Sequence, residues 1–375
     1  MYKRIKISSF LLALAPCLSM YLLLPGTNLG LFVYLCAIIL SINLIRVKYN
    51  LERIWFYQIL WLSLFGYVMN YSTPWFSVPG FINNLWPITI CFVTLIVVVP
   101  NVDPKIFKKS FLFISIFAAI IVIGQRLSII LTGSYYSNFY LPLFELSEDI
   151  AYSLNRPSAF FKEPAHIAIY LLPAYYLSLL DKKYIYVVLF ALGILASSSS
   201  TGFILVGLST IIWLLFDTKG VKNRIAAILL LGIGVAFVIK YQSVIIVDDH
   251  IEKLTNSESS SSIRLLGGLS YFNSFTILEK IFGIGFNQLS NYFGINSEIA
   301  NYSNAVLFML ISYGYLGLLS LGFYLFNLFR LYKPQLGFYV ILLGVMLSSQ
   351  LLFHDFLIHL LTFCMIGNKL SDKKL

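Results

Sequence analysis

Residues 110–132 read SFLFISIFAAIIVIGQRLSIILT, a run of 23 positions with a single charge, Arg126. At the rise of an α-helix such a run is about 34 Å long, enough to cross a hydrocarbon core about 30 Å thick. Working outward from it, apolar stretches recur along the whole chain. They cover residues 7–24, 29–45, 54–72, 84–100, 110–132, 164–180, 184–198, 201–216, 225–243, 303–329, 336–353 and 356–367. Hydrophobic residues make up 59% of the 375 positions and charged residues 11%, against about 25% charged in soluble domains. Mean hydropathy is +0.85. This composition excludes a soluble enzyme, a disulfide-stapled secreted domain and a disordered chain. It also excludes a porin-type barrel, whose strands alternate polar and apolar residues. The expected fold is an all-α polytopic membrane protein of about 12 transmembrane helices, forming one integral membrane domain over residues 1–375.

A net charge of +10 raises the question of nucleic acid, and the placement of the charges answers it. With the N-terminus in the cytoplasm, seven cytoplasmic segments hold 19 of the 26 Lys and Arg residues. They carry Lys3, Arg4 and Lys6; Arg46, Lys48 and Arg53; Lys105, Lys108 and Lys109; Lys182 and Lys183; Lys219, Lys222 and Arg224; Arg330 and Lys333; and Lys369, Lys373 and Lys374. That is the positive-inside bias of a multi-pass membrane protein, with both termini cytoplasmic and no nucleic-acid partner. The basic start and first apolar run resemble a secretory signal. No small-residue cleavage site follows, so the expectation is a retained first helix. Cys17, Cys36, Cys91 and Cys364 all fall inside expected spans and behave there as small hydrophobes.

Two non-cytoplasmic connections are long, residues 133–163 and 244–302, and polar chemistry has room only there. The second contains a serine-rich stretch, Asn256–Ser262, and then an expected amphipathic helix over Ile263–Phe282. Its apolar residues Leu265, Leu266, Leu269, Phe272, Phe275 and Leu278 recur at helical spacing. No internal repeat, glycine-rich phosphate loop or metal-ligand cluster is present in the sequence.

Seven basic residues break the positive-inside pattern: Arg126, Arg156, Lys162, Lys240, Lys253, Arg264 and Lys280. An outward arginine can pair with an outward acid such as Glu145, Glu148 or Glu258. Arg156 and Arg264 differ in that each lies in one long loop beside an apolar helix. Guanidinium forks suit bidentate binding of phosphate oxygens, so two of them suit a diphosphate. Pro164 fits the first turn of a helix, which puts Glu163 at the helix start and His166 one turn further in. Glu163 has two available roles, helix cap or base toward an attacking hydroxyl. His354 and Asp355 sit between the last two spans, where ionisable groups are functional candidates or simply turn formers. Tyr135, Tyr136, Phe139, Tyr140, Tyr152, Phe160 and Phe161 suit stacking on sugar faces, and equally an interfacial aromatic belt.

Four stretches then resemble, in order, the motifs of Wzy-type O-antigen polymerases, related to the O-antigen ligases and to capsule polymerases. They are RPSAFFKEPAHIAIYL (156–171), SSSSTGFILVGLSTII (197–212), SSIRLLGGLSYFNSFTILEKIFGIGFNQLSNYF (261–293) and NAVLFMLISYGYLGLLSLGFYL (304–325). The resemblance covers about residues 150–330. The family's arginine-x15-glycine spacing is absent, since Leu172 and Lys280 stand at the glycine positions. What the resemblance implies is an inverting glycosyltransferase with a GT-C-like fold, needing no metal and no cofactor. It would polymerise undecaprenyl-diphosphate-linked oligosaccharide repeat units at the outer face of the bacterial cytoplasmic membrane. Partners would be membrane lipid, a flippase and a chain-length regulator. Glu163, His166, His354 and Asp355 are the candidate catalytic groups; Arg156, Arg264, Arg126, Lys162, Tyr152 and Phe161 are the candidate substrate contacts. A ligase of the same superfamily shares these motifs. A transporter of polysaccharide or lipid-linked sugar is the alternative from a different class, although no two-fold hydropathy repeat supports it.

The topology makes a direct prediction. Single cysteines at positions 48, 105, 182 and 222 are expected to resist a membrane-impermeant thiol reagent on intact cells, and cysteines at 76, 150, 258 and 296 to react. Labelling of Lys222→Cys from outside overturns the twelve-span arrangement.

Overall fold

The computed structural model describes residues 2–24, 27–42, 51–133, 145–146, 157–217, 225, 232, 268–295, 304–349 and 352–370. Helices dominate them. In chain order these are α1 (Tyr2–Leu14), α2 (Leu29–Ser41), α3 (Leu51–Asn70), α4 (Val78–Val93), α5 (Pro104–Thr132), α6 (Pro164–Leu180), α7 (Tyr184–Ala196) and α8 (Ser200–Ile212). After them come α9 (Ile277–Phe282), α10 (Leu289–Phe293), α11 (Ala305–Tyr332), α12 (Leu336–Ser348) and α13 (Asp355–Leu370). Among the described residues three helices are long and apolar enough to cross a membrane: Pro104–Thr132, Ser200–Asp217 and Ala305–Tyr332. Shorter apolar helices include Leu29–Ser41, Leu85–Asn101, Pro164–Leu180, Tyr184–Ala196 and Leu336–Ser348. The protein is helical and membrane-type. The expected span 225–243 lies almost wholly outside the described residues.

The helix ends follow from local sequence. Asp103 caps α5, its carboxylate accepting from Lys105 N (3.0 Å) and Ile106 N (3.2 Å), with Pro104 in the first turn. Gly133, at φ 65°, closes the same helix in the left-handed conformation. Two expectations need correction. The first apolar stretch is not one helix to residue 24, because Pro16 interrupts the hydrogen-bond ladder. α1 gives way to a short 3-10 turn, Ala15–Leu18, and then to strand β1 (Tyr21–Leu24). β1 pairs antiparallel with β2 (Thr27–Asn28) and with β3 (Glu145–Leu146), which comes from the first long loop. Nor is 263–282 a continuous helix over its described part. Helix at 268–273 stops, and Thr276 starts α9 with a capping box to Glu279.

α6 and α13 form the centre. Every residue of α6 except Ala165 is buried, and so is α13 from Asp355 through Gly367. Their contacts advance in step. His166 meets Phe356 at 4.7 Å between ring centroids, and one turn on Tyr170 stacks on His359 at 4.8 Å. The two helices therefore run parallel and start side by side. At the far end of α6, buried Asp181 receives Lys108 at 2.8 Å and Lys183 at 3.6 Å. A carboxylate at a helix C-terminus opposes the dipole, and the two ammonium groups offset it.

α11 is broken at Gly314 (φ 65°, ψ −160°). The carbonyls freed by the break are taken up by the chain after α9. Ile284 N donates to Ile311 O at 3.1 Å, and Gly285 N donates to Ser312 O at 3.0 Å. The two backbones cross so closely that a methyl on Gly283 would collide with the Ser312 carbonyl, and one on Gly314 with that of Ile281. Both glycines also have positive φ.

Gly283→Ala and Gly314→Ala are each expected to cost about 3 kcal/mol, combining left-handed strain of about 1–2 kcal/mol with overpacking. Gly322→Ala, in open space on the same helix, is expected to stay within about 0.5 kcal/mol. Thermal unfolding of the three variants in detergent checks this, and equal midpoints would refute the interlock.

Candidate functional site

The parallel start of α6 and α13 gathers polar side chains at one point. Glu163 stands at the N-cap position of α6 in extended conformation (φ −136°), but its side chain makes no capping hydrogen bond. Its carbonyl does the work of starting the helix, accepting from His166 N at 3.0 Å. The His166 ring lies 5.6 Å from that of His354, and His354 stacks at 5.6 Å on Phe356. The His354 carbonyl in turn accepts from Leu357 N (2.9 Å) and Ile358 N (3.3 Å), making it the structural start of α13. Lys162 and Glu163 both lie within electrostatic range of His354. Burial, together with the His166 and Lys162 charges, lowers the His354 pKa from 6.5 to about 3, and Glu163 opposes the shift. At neutral pH His354 is thus an uncharged imidazole, able to accept a proton or a hydrogen bond.

Asp355 lies behind this group, only 1% exposed. Its Oδ2 sits 2.7 Å from where a Cβ on Gly30 would stand, so the carboxyl rests on the first turn of α2. Asn28 caps that helix through Leu31 N (2.8 Å) and also faces the Asp355 carboxyl. Tyr34 donates to the Asp355 carbonyl at 3.1 Å. The N-termini of three helices, α2, α6 and α13, converge here. Partial positive charge at helix N-termini favours anions.

The other sequence candidates are placed as follows. Arg126 donates its Nε to Ala196 O at 3.2 Å, joining α5 to the end of α7. Phe161 is 1% exposed and lies against Phe160, Tyr170 and Phe356. It is a core residue here, not an open platform for a sugar. Ala159 N donates to Gln125 at 2.9 Å, which holds the segment before α6 against α5. Arg156, Arg264 and Tyr152 lie outside the described residues.

Sequence reading passed over His359, one turn beyond Asp355 and fully buried among Phe107, Phe111, Tyr170 and Phe363. Neither of its ring nitrogens has a hydrogen-bond partner among the described residues. The Asp-x-x-x-His spacing, which puts both on one helix face, was the available signal. No group of three metal-binding side chains is found among the described residues. No protein-family profile and no curated protein matches this chain.

The neutral state of His354 sets a pH dependence. Its folded pKa lies below its ordinary value, so on acidification the unfolded chain takes the proton first. This contribution to stability is complete above about pH 6.5 and is lost as pH falls toward 3. The unfolding midpoint is expected to drop by roughly 5 °C between about pH 7 and pH 4.5, and less so in His354→Gln. An identical slope in the variant would assign the loss to other groups.

Proposed function

We propose that this protein polymerises lipid-linked oligosaccharide repeat units, as a Wzy-type polymerase of about twelve spans and GT-C-like fold in the bacterial cytoplasmic membrane. The observation that carries the reading is the meeting of two largely buried helix starts that brings Lys162, Glu163, His166 and His354 together. Apolar helices surround this polar point, a setting suited to a substrate with a charged diphosphate and a polyprenyl tail. The order of the four sequence motifs supports the same reading, and two of them, 156–171 and 304–325, meet the structure at Glu163 and at the Gly314 break. The site would open to the outer face, with both termini cytoplasmic.

The reaction needs a sugar hydroxyl of one repeat unit to attack the anomeric carbon of another. The O–H proton passes to Glu163, a new C–O bond forms with inversion, and the C–O bond to the lipid diphosphate breaks. Glu163 is available for this because its side chain is not committed to capping α6. Lys162 and the converging helix N-termini favour the departing diphosphate, whose charge needs stabilisation more than a proton. Arg156 and Arg264 are assigned to the same diphosphate. His354 and His166 stand beside Glu163 to orient the hydroxyl. Asp355, buried on α2, supports the site from behind.

Purified protein reconstituted with an undecaprenyl-diphosphate-linked repeat unit is expected to yield a ladder of lengthening glycans. Glu163→Gln keeps shape and removes the base, so the rate is expected to fall about 10²-fold or more with the fold intact. Arg156→Ala and Arg264→Ala should abolish the ladder, with lysine rescuing only in part. A Glu163→Gln protein within a few-fold of wild type would move the base to His354 or His166. A single transfer to a lipid-core acceptor, with no ladder, would identify a ligase.

A further inference from the structure

We infer that Phe353 is a positioning residue that aims His354, locked by an aromatic cage drawn from three separate elements; the inference rests on the reading of the 163–166 and 354 cluster as the reaction site. Phe353 is 2% exposed and has φ +57°. Left-handed backbone is disfavoured for a bulky L-residue, and it persists only where the surroundings over-determine it. Here they do. The Phe353 ring meets Trp55 of α3 at 5.9 Å, Phe92 of α4 at 5.7 Å and Phe286 of the second loop at 5.7 Å. The cage is itself held. Trp55 stacks on Tyr324 of α11 at 3.8 Å, and Phe286 meets Phe308 edge-on at 5.0 Å.

The turn is also fixed at both flanks. Ser349 O accepts from Ala305 N at 2.8 Å upstream, and the His354 carbonyl is committed to the first turn of α13 downstream. Directly before the second anchor, the φ of Phe353 sets the direction in which the imidazole leaves the turn. With the ring held toward α3 and α4, the left-handed turn sends His354 the other way, onto His166 and within range of Lys162 and Glu163 on the α6 side. On its own helix it also stacks on Phe356 and is followed by Asp355. An extended or right-handed Phe353 would keep one of the two contacts and lose the other. Phe286 follows directly on the backbone that fills the α11 break, so the second long loop holds His354 in place through two rings.

The test uses the full chain labelled with ¹⁵N-histidine in lipid nanodiscs, where single His→Gln changes assign its four imidazoles. In wild type His354 is expected to stay neutral well below pH 6. In Phe353→Ala its titration is expected to return toward 6.5, the ordinary value. The same variant is expected to lose about 10-fold or more in kcat for glycan extension, with KM for the lipid-linked unit within about two-fold, as for a misplaced group. Phe353→Leu, which keeps apolar volume, should recover part of both. Should Phe353→Ala not accumulate, Phe353→Leu and Phe286→Ala are read in the same way, each showing a smaller shift. An unchanged His354 titration in these variants, or a loss confined to KM, overturns the positioning role. A shifted titration in a protein whose wild type extends no glycan leaves the positioning role standing and removes the polymerase reading instead.

Discussion

Two apolar helices that are almost wholly buried and start side by side impose one constraint on everything around them. α6 and α13 each bring about half a positive charge to their N-termini, and here the two ends are neighbours inside protein. Parallel dipoles repel, and buried N–H groups without partners are costly. Both starts answer with an acidic residue, Glu163 before α6 and Asp355 at the head of α13. Asp355 also rests on the first turn of α2, beside Gly30. What remains is a meeting of helix N-termini, which as dipole ends favour anions, with the neutral His354 imidazole beside it. The proposed diphosphate site rests on this helix placement as well as on the loop arginines.

The same turn collects the anchorage of both long loops. β3, from the first loop, pairs with β1, whose chain runs on through β2 and Asn28 into Gly30, directly against Asp355. The segment after α9 fills the break in α11 and delivers Phe286 to Phe353. Loops that cross a membrane surface gain little from the hydrophobic effect, so each is tied down by backbone pairing at a few points instead. From those points Gly30 reaches Asp355 and Phe286 reaches Phe353, so a described part of each loop is linked to the turn before α13.

Much of this was legible in the sequence where the cause is local. Apolar runs marked the helices, Pro164 marked the start of α6, and Glu163 just before it and His166 two residues after it were singled out from the sequence. The start of α5 at Asp103–Pro104 lies before the apolar run at 110–132 and was not read. The misreadings have a common origin in short-range interruptions that hydropathy does not weigh. Pro16 ends a helix within an apolar run that continues to Leu24, and the Thr276–Glu279 capping box divides a run whose apolar spacing looks continuous. What no local rule reveals is long-range. Gly314 reads as a tolerated glycine in a helix until Gly283 is found crossing it. Phe161 reads as an aromatic near a polar loop until Tyr170 and Phe356 enclose it. The enclosure of His359 is hidden in the same way, since Phe107, Phe111 and Tyr170 come from α5 and α6, far away in sequence.

The two ends of α6 show how the same helix is finished for different purposes. At its C-terminus Asp181 works against the dipole, yet its buried carboxylate is paired with Lys108 and with the more exposed Lys183. Such a buried pair fixes geometry and leaves little free for a ligand, since each charge already has its partner. At the N-terminus the Glu163 side chain is left out of the capping role it is placed for, His354 keeps a buried ring nitrogen without a partner, and both Asp355 oxygens lack hydrogen bonds among the described residues. Buried polar groups are normally satisfied, so a concentration of unsatisfied ones marks the place where stability has been given up. One end of α6 is closed by ion pairs, while the other leaves polar groups of Glu163 and His354 uncommitted within a buried setting. This difference, more than any single residue, is why the proposed chemistry is assigned to the start of α6 and α13.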